Sequence, residues 1–531
     1  KCAAILLLAT ACAIADEKPT EVFTIGGVVV DAVTKKPARR VRVVVAPSDH
    51  VASEVGASIT TDNGRFQFNV SAGKYQLRAE RNGMPSQTFG AQPSNSGFGT
   101  AVITGADQKT DNLLFLLYPP GAISGKVVDE ALEPVENALV QLLRSSVVAG
   151  RRRVETFGWA YTNDLGEFRF GDLLAGSYYL AVTGKPWYAT EGQMRLPFAQ
   201  PASDQSPLAR TAYAPVYYAN TGDPRAAAPI VLNPGQEAVT NFSLSPSTGF
   251  NVTVHCEGEC RTGLRLSVIG AGILDANSFE RVDDFSKTAL VPAVPPGHYT
   301  IRIVSSDGLK PLCGIAAVDV VTSDVEVTVA VKEASKVAGT VSLSGDDSKL
   351  LRRLIVTLRD EQQNRVFRRD VAADGTFEIP GVLPGNYRAS ITGVPGVFAT
   401  LVTSEEGAVK DGVIEVGANA NVRLKLDASA GAGRVKGFVY RNGDPVPGVL
   451  VLLIPATLPA DPGYYRSFLS DSDGSFDFKN VRPGGYRLFA LPDSQFEYAN
   501  PAVVRPYLAN ANAKAIAVDV KTLLEETIEL P

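Results

Sequence analysis

Residues 470–490 read SDSDGSFDFKNVRPGGYRLFA, and residues 61–79 read TDNGRFQFNVSAGKYQLRA. The two stretches share an acidic turn ending in Gly, a Phe-x-Phe, a Gly-Tyr pair and an alternating apolar tail. Two more copies stand at 163–182 (NDLGEFRFGDLLAGSYYLAV) and 373–391 (ADGTFEIPGVLPGNYRASI). Asn63-Gly64, Asp374-Gly375 and Asp473-Gly474 supply the positive φ of a tight hairpin turn. Phe66 and Phe68, Phe168 and Phe170, and Phe476 and Phe478 stand two apart, so each pair shares one face of a strand, expected to be the core face. A second turn Gly (Gly73, Gly176, Gly385, Gly485) comes just before Tyr75, Tyr178, Tyr387 or Tyr486. A Tyr so placed is expected to bury its ring and anchor its hydroxyl on nearby backbone, like the tyrosine corner of other sandwiches.

Each unit is opened by a strand, a polar turn and a second apolar strand: GGVVVDAVTKKPARRVRVVV at 26–45, GKVVDEALEPVENALVQLL at 125–143, GTVSLSGDDSKLLRRLIVTL at 339–358 and GFVYRNGDPVPGVLVLLI at 437–454. A worn third copy runs from FNVTVHCEGECRTGLRLSVI at 250–269 to KTALVPAVPPGHYTIRIV at 287–304, with Lys287 at the turn-glycine position and Ala289 and Val291 in place of the Phe pair. Linking strands at 228–246, 316–331 and 411–426 close the units. Helical periodicity is nearly absent, and the tail KTLLEETIELP reads equally as a closing strand or a short helix. About seven short strands per copy, set off by turn residues, predict an all-β chain: a tandem array of about five Greek-key β-sandwiches, elongated. The expected divisions are a leader at 1–15 and sandwiches at 16–118, 119–247, 248–333, 334–427 and 428–531.

The pattern G-x-V…P-x-x-x-x-V-x-L…T-(D)-x-x-G-x-F-x-F…L-x-x-G-x-Y-x-L resembles the carboxypeptidase regulatory-like domain, a transthyretin-like sandwich of the carbohydrate-binding-like fold. The segment TAYAPVYYANTGDPRAAAPIVLNPGQEAVTNFSLSP is similar to inter-repeat segments of exported arrays from Acidobacteria. The resemblance spans most of residues 20–531. It implies fold and export and no enzyme, because in metallocarboxypeptidases this domain follows a separate catalytic one.

Length alone calls for several cores in 531 residues. Lys+Arg 51 against Asp+Glu 56, a net charge of −5, gives no field suited to nucleic acid. The start KCAAILLLATACAIADEKPT has an apolar run from Cys2 to Ala15 of signal-peptide length, with Ala13-Ile14-Ala15 as a cleavage pattern, so a mature start near Asp16 is expected. Ala9-Thr10-Ala11-Cys12 loosely resembles a lipobox, an alternative that would lipidate Cys12. No later run is long enough to cross a bilayer as a helix, and the expected location is secreted, periplasmic or at the cell surface.

Three His cannot build a His-x-x-Glu zinc peptidase: His50, His255 and His298 all lack the spacing. No nucleophile elbow and no phosphate-cradling loop is present. No cofactor, catalytic residue or metal site is expected. The cluster His255-Cys256-Glu257-Gly258-Glu259-Cys260 admits a soft-metal site, but export favours a Cys256–Cys260 disulfide across a turn. Cys313 is left over and could instead pair with either. The acidic turn Asp471-Ser-Asp473-Gly474 could suit calcium, though turn formation explains it more simply. Lys126 and Lys436 are available for a Lys–Asn cross-link, but no matching Asn recurs.

An insertion at about 185–227 holds Trp187, Tyr188, Tyr213, Tyr217 and Tyr218, with Trp159 on a nearby strand. Flat rings on a rigid scaffold suit sugar faces, and the same rings could simply pin a long loop to its sandwich. Two functions follow: an exported envelope scaffold, spacer or adhesion module without enzymatic activity, or a carbohydrate- or peptide-binding array with its contact site in the second unit. A glycan or an envelope protein is the expected partner. Burial of Trp187 and Tyr217 would favour the first function and an exposed platform the second.

Overall fold

The computed structural model describes residues 21–95, 99–190, 210–270, 278–305, 311–344, 348–360, 365–405, 409–410, 412–509 and 513–530. The expected leader with Cys12, and residues 191–209 of the insertion in the second unit, fall outside these residues. Strands dominate, and among the described residues the five largest sandwich cores lie in succession along the chain, built around Ile25 and Phe115, Ile123 and Tyr178, Val252 and Ile301, Val356 and Tyr387, and Val435 and Phe476, with two smaller clusters on outer sheet faces. The chain is therefore a tandem array of β-sandwiches.

In the first sandwich the opening strand Val22–Asp31 pairs antiparallel with Arg65–Ser71 and parallel with Leu113–Leu117, forming one sheet. The facing sheet is built from Gly56–Ile59, Arg42–Pro47, Gly73–Arg81 and Met84–Thr88, with Val102–Thr104 alongside. The same plan recurs in the second, fourth and fifth sandwiches, whose opening strands Gly121–Val128, Ser335–Ser344 and Gly433–Arg441 each take a parallel closing strand. The tail segment Leu523–Glu529 is the closing strand of the fifth. In the third sandwich Leu312–Val320 bridges both layers, so seven strands form one continuous sheet.

The expected hairpin at Asn63-Gly64 is corrected by this pairing. Gly56–Ile59 belongs to one sheet and Arg65–Ser71 to the other, so the turn is a corner between layers. Its glycine is needed for close approach. The Gly64 carbonyl accepts from Val29 N at 2.8 Å, and the pattern repeats at Gly166 to Val127, Gly375 to Val341 and Gly474 to Val439. A Cβ on Gly64 would lie 2.4 Å from the Val29 carbonyl oxygen, in addition to the cost of φ +69°. Lys287 does occupy this position in the third sandwich, where its carbonyl accepts from Cys256 N at 2.7 Å.

All six paired phenylalanines are buried. The corner tyrosines behave alike: Tyr75, Tyr178, Tyr299, Tyr387 and Tyr486 each donate to the carbonyl four residues earlier, at 2.7–3.1 Å. In the fifth sandwich the glycine two residues before the corner Tyr, and lying against its ring, is Gly484; Gly485, expected there, packs near Ala456. A helix absent from the sequence reading, Pro501–Leu508, is capped by Asn500 and seats Val504 over the outer face of Leu450–Pro455.

The fifth sandwich also touches the first two. Lys74 Nζ meets Asp471 Oδ2 at 2.6 Å, Ser472 N donates to Ala101 O and Ile103 N to Ser472 Oγ, each at 2.9 Å. Arg152 Nε meets Glu497 Oε1 at 2.8 Å, and Ala499 N donates to Gly150 O.

Candidate ligand-binding surface of the second sandwich

Among the described residues the strand Arg151–Tyr161 is the outer strand of its sheet and pairs only with Leu139–Val148. Its alternation sends Ala160 toward Val140 and the core, and turns Trp159 and Tyr161 outward, 69% and 63% exposed. Beyond the end of Gly176–Thr183, an inner strand of the same sheet, Pro186 leads into the short helix Trp187–Thr190. Trp187 is 59% exposed and meets the half-buried Tyr188 edge to face, with ring centroids 5.6 Å apart. The Tyr188 hydroxyl reaches Glu130 Oε1 at 3.4 Å. Burial, and then Glu130, raises its pKa.

A cleft of about 730 Å³ opens between these elements, lined among others by Glu136, Tyr161, Asp164, Lys185, Trp187 and Tyr213. Its size is that of a small-ligand site. Asp129 also lines it but is committed locally: its Oδ1 accepts from the amides of Ala131 and Glu133, both at 2.9 Å, closing the loop after the opening strand. Carboxylates, a lysine and an aromatic face around open space can bind a sugar or a peptide. Among the described residues no nucleophile is paired with a base there.

The six aromatic candidates therefore separate. Trp187 fronts the cleft with Tyr188 packed on its edge, and Trp159 lies outward on the neighbouring strand. Tyr213 and Tyr217 are core residues, 1% and 3% exposed, and Tyr218 packs half-buried against Phe242 at 6.4 Å. Burial above all, then the Glu130 and Asp129 charges, hold the Tyr213 hydroxyl above the usual phenol range. Tyr161, Asp164 and Lys185 were missed in the sequence, although Tyr161 alternates with Trp159 in VETFGWAY, a signal for a shared outer face.

The soft-ligand cluster of the third sandwich forms no metal site. Cys256 and Cys260 are joined by a disulfide, and His255, one residue along the strand, faces the other way to Glu326 Oε2 at 3.4 Å. Cys313 is a buried thiol whose pKa is raised by desolvation. Asp471 of the calcium-like turn is taken by Lys74, and Lys436 Nζ by Glu525 Oε1 at 2.7 Å. Among the described residues no cluster of three or more His, Cys, Asp or Glu could hold a metal ion, and no helix is long and apolar enough to cross a membrane.

No family model matches the chain, and no curated protein does. Solved structures with some likeness include the TIE protein of Bacillus anthracis (12% identity, TM-score 0.17, covering 78% of this chain and 76% of that one). Others are the major pilin subunit of Bacillus cereus (12%, 0.14, covering 77% and 99%) and the RrgB pilus protein of Streptococcus pneumoniae (8%, 0.16, covering 78% and 99%). At these scores the superposition is too loose to transfer fold detail or function.

Proposed function

We propose that the chain is an exported, non-enzymatic scaffold of the cell envelope, serving as spacer or adhesion module, with sandwiches at 16–118, 119–247, 248–333, 334–427 and 428–531. What supports this reading is where the polar chemistry goes. The corner tyrosines bond their own backbone, and Lys74–Asp471, Arg152–Glu497 and Arg210–Asp324 join one sandwich to another. Side chains used this way position domains. The apolar leader and the disulfide fit an oxidising compartment. Fractionation of the source cells with protease treatment of intact cells tests the proposal. Recovery in the envelope fraction is expected, and a cytosolic, protease-protected chain would overturn it.

Binding of a carbohydrate or peptide through the second sandwich is the other reading, and the exposure of Trp187 over its cleft favours it. Tyr217 gives it no support, since its ring is spent on the core. The two readings are compatible if the scaffold presents this cleft.

A further inference from the structure

Among the described residues the crevice between the fourth and fifth sandwiches holds two guanidinium groups and no acid. Arg466 and Arg482 line a cavity of about 440 Å³, with Tyr464, Asn480 and the loop carrying Phe398 as its other walls. Arg466 sends one nitrogen, Nη2, to the carbonyls of Lys479 and Asn480 at 3.4 and 2.8 Å. Arg482 lies over the Tyr464 ring at 4.1 Å and near that of Phe398 at 5.2 Å, and reaches the Ala399 carbonyl at 3.4 Å. Neither forms an ion pair among the described residues. Among the described residues no acceptor meets Arg466 Nε or Nη1, or Arg482 Nε or Nη2.

Gluing two sandwiches together would account for the stacking of Arg482 between rings. It would not account for two neighbouring cations left without a counter-charge. Burial, and then the Arg482 charge, push the Arg466 guanidinium below its usual range, a cost that an oxyanion in the crevice would relieve. The stack and the carbonyl contacts fix both planes, so their free N–H edges are set in advance for a carboxylate or phosphate. Beside them stand an exposed side-chain amide, Asn480, and an unbonded hydroxyl, that of Tyr464, which suit ligand hydroxyls. Val394, Pro395 and Phe398 offer C–H surface for a ring face.

We propose that this crevice binds an acidic sugar, with its oxyanion held by Arg466 and Arg482 and its hydroxyls by Asn480 and Tyr464. The site is separate from the Trp187 cleft and stands or falls independently of it.

Calorimetric titration of the full chain with trigalacturonate, mannose 6-phosphate and neutral galactotriose tests this. Saturable binding of an acidic ligand is expected, at least tenfold weaker in Arg482→Gln and unchanged in Trp187→Ala. Binding of the uronate alone assigns a carboxylate, and binding of the sugar phosphate alone a phosphate ester. Asn480→Asp brings a negative charge to an exposed wall and keeps both arginines and their stacks. It should weaken binding at least tenfold with an unaltered thermal transition. Failure of both acidic ligands to bind, equal binding of galactotriose, or full binding by Asn480→Asp would each overturn the proposal.

Discussion

Lys74 of the first sandwich and Asp471 of the fifth, 397 residues apart in the chain, meet at 2.6 Å, with Asp471 only 6% exposed and Lys74 at 37%. The Lys74 ammonium also lies 4.9 Å from the centre of the Phe468 ring. Removing one partner of a buried pair strands the other charge without solvent. Lys74→Ala should weaken the junction by on the order of 2 kcal/mol, less than for a fully buried pair because Lys74 reaches water. Small-angle scattering reads this as a larger radius of gyration once the last sandwich leaves the first. An unchanged profile, with the Ser472 amide still protected from exchange, would show that the pair does not hold the junction.

Asp471 also gives the junction a pH dependence of unusual sign. Burial raises its pKa and Lys74 lowers it only in part, so the net shift is upward. A carboxyl with a raised folded pKa stabilises most below its unfolded value, about 3.9, and loses that contribution as pH rises through the folded value. The melting temperature of the native chain should therefore fall relative to Asp471→Asn as pH rises from about 3.5 to 7. A difference that grows in the native chain's favour over that range would contradict the assignment.

Tyr387 is fully buried, and its hydroxyl donates to the Leu383 carbonyl at 2.7 Å. Burial pushes its pKa up to about 12, so it remains a donor at any working pH. Tyr387→Phe keeps the ring and loses the bond. Denaturant unfolding should show a loss of about 1–2 kcal/mol confined to the fourth sandwich, with the m-value unchanged.

Gly437 and Phe476 are register partners, and a Cβ on that glycine would run first into the Glu526 carbonyl oxygen of the parallel closing strand, at 1.7 Å, and then meet the Phe ring at 3.0 Å. In the third sandwich Val254 and Ala289 hold the equivalent places. The third sandwich thus has a larger side chain on the opening strand and a smaller one opposite it, with Val254 and Val291 both buried. Ala289→Phe alone should overpack this site by about 1–3 kcal/mol. Adding Val254→Gly should restore part of that loss, and a double-mutant cycle without coupling would show the two positions to be independent.

Trp159 and Trp187 are the two tryptophans of the chain, and both are exposed. If the second sandwich binds glycans, polysaccharide titration should shift the emission, and Trp187→Ala should abolish the shift without lowering the melting temperature. A panel of polysaccharides that leaves emission unchanged would leave this sandwich a scaffold element.

The repeated turn, Phe-x-Phe and Gly-Tyr signals were enough to give the fold class, because each reports a local backbone or burial requirement that any copy must meet by itself. Lys287, Ala289 and Val291 could even be aligned to Gly64, Phe66 and Phe68 by position along the strand. Local signals could not say that Asn63-Gly64 turns between sheets, since that depends on which strand Gly64 pairs with. Nor could they find the helix Pro501–Leu508, whose short apolar face is defined by the sheet it covers. Among the aromatic candidates, composition could not separate Trp187 from Tyr217, because exposure is a property of what lies above a ring. The meeting of Lys74 with Asp471 and of Arg466 with Arg482 was settled only by tertiary structure, where chain separation gives no guide and burial sets the strength of each charge.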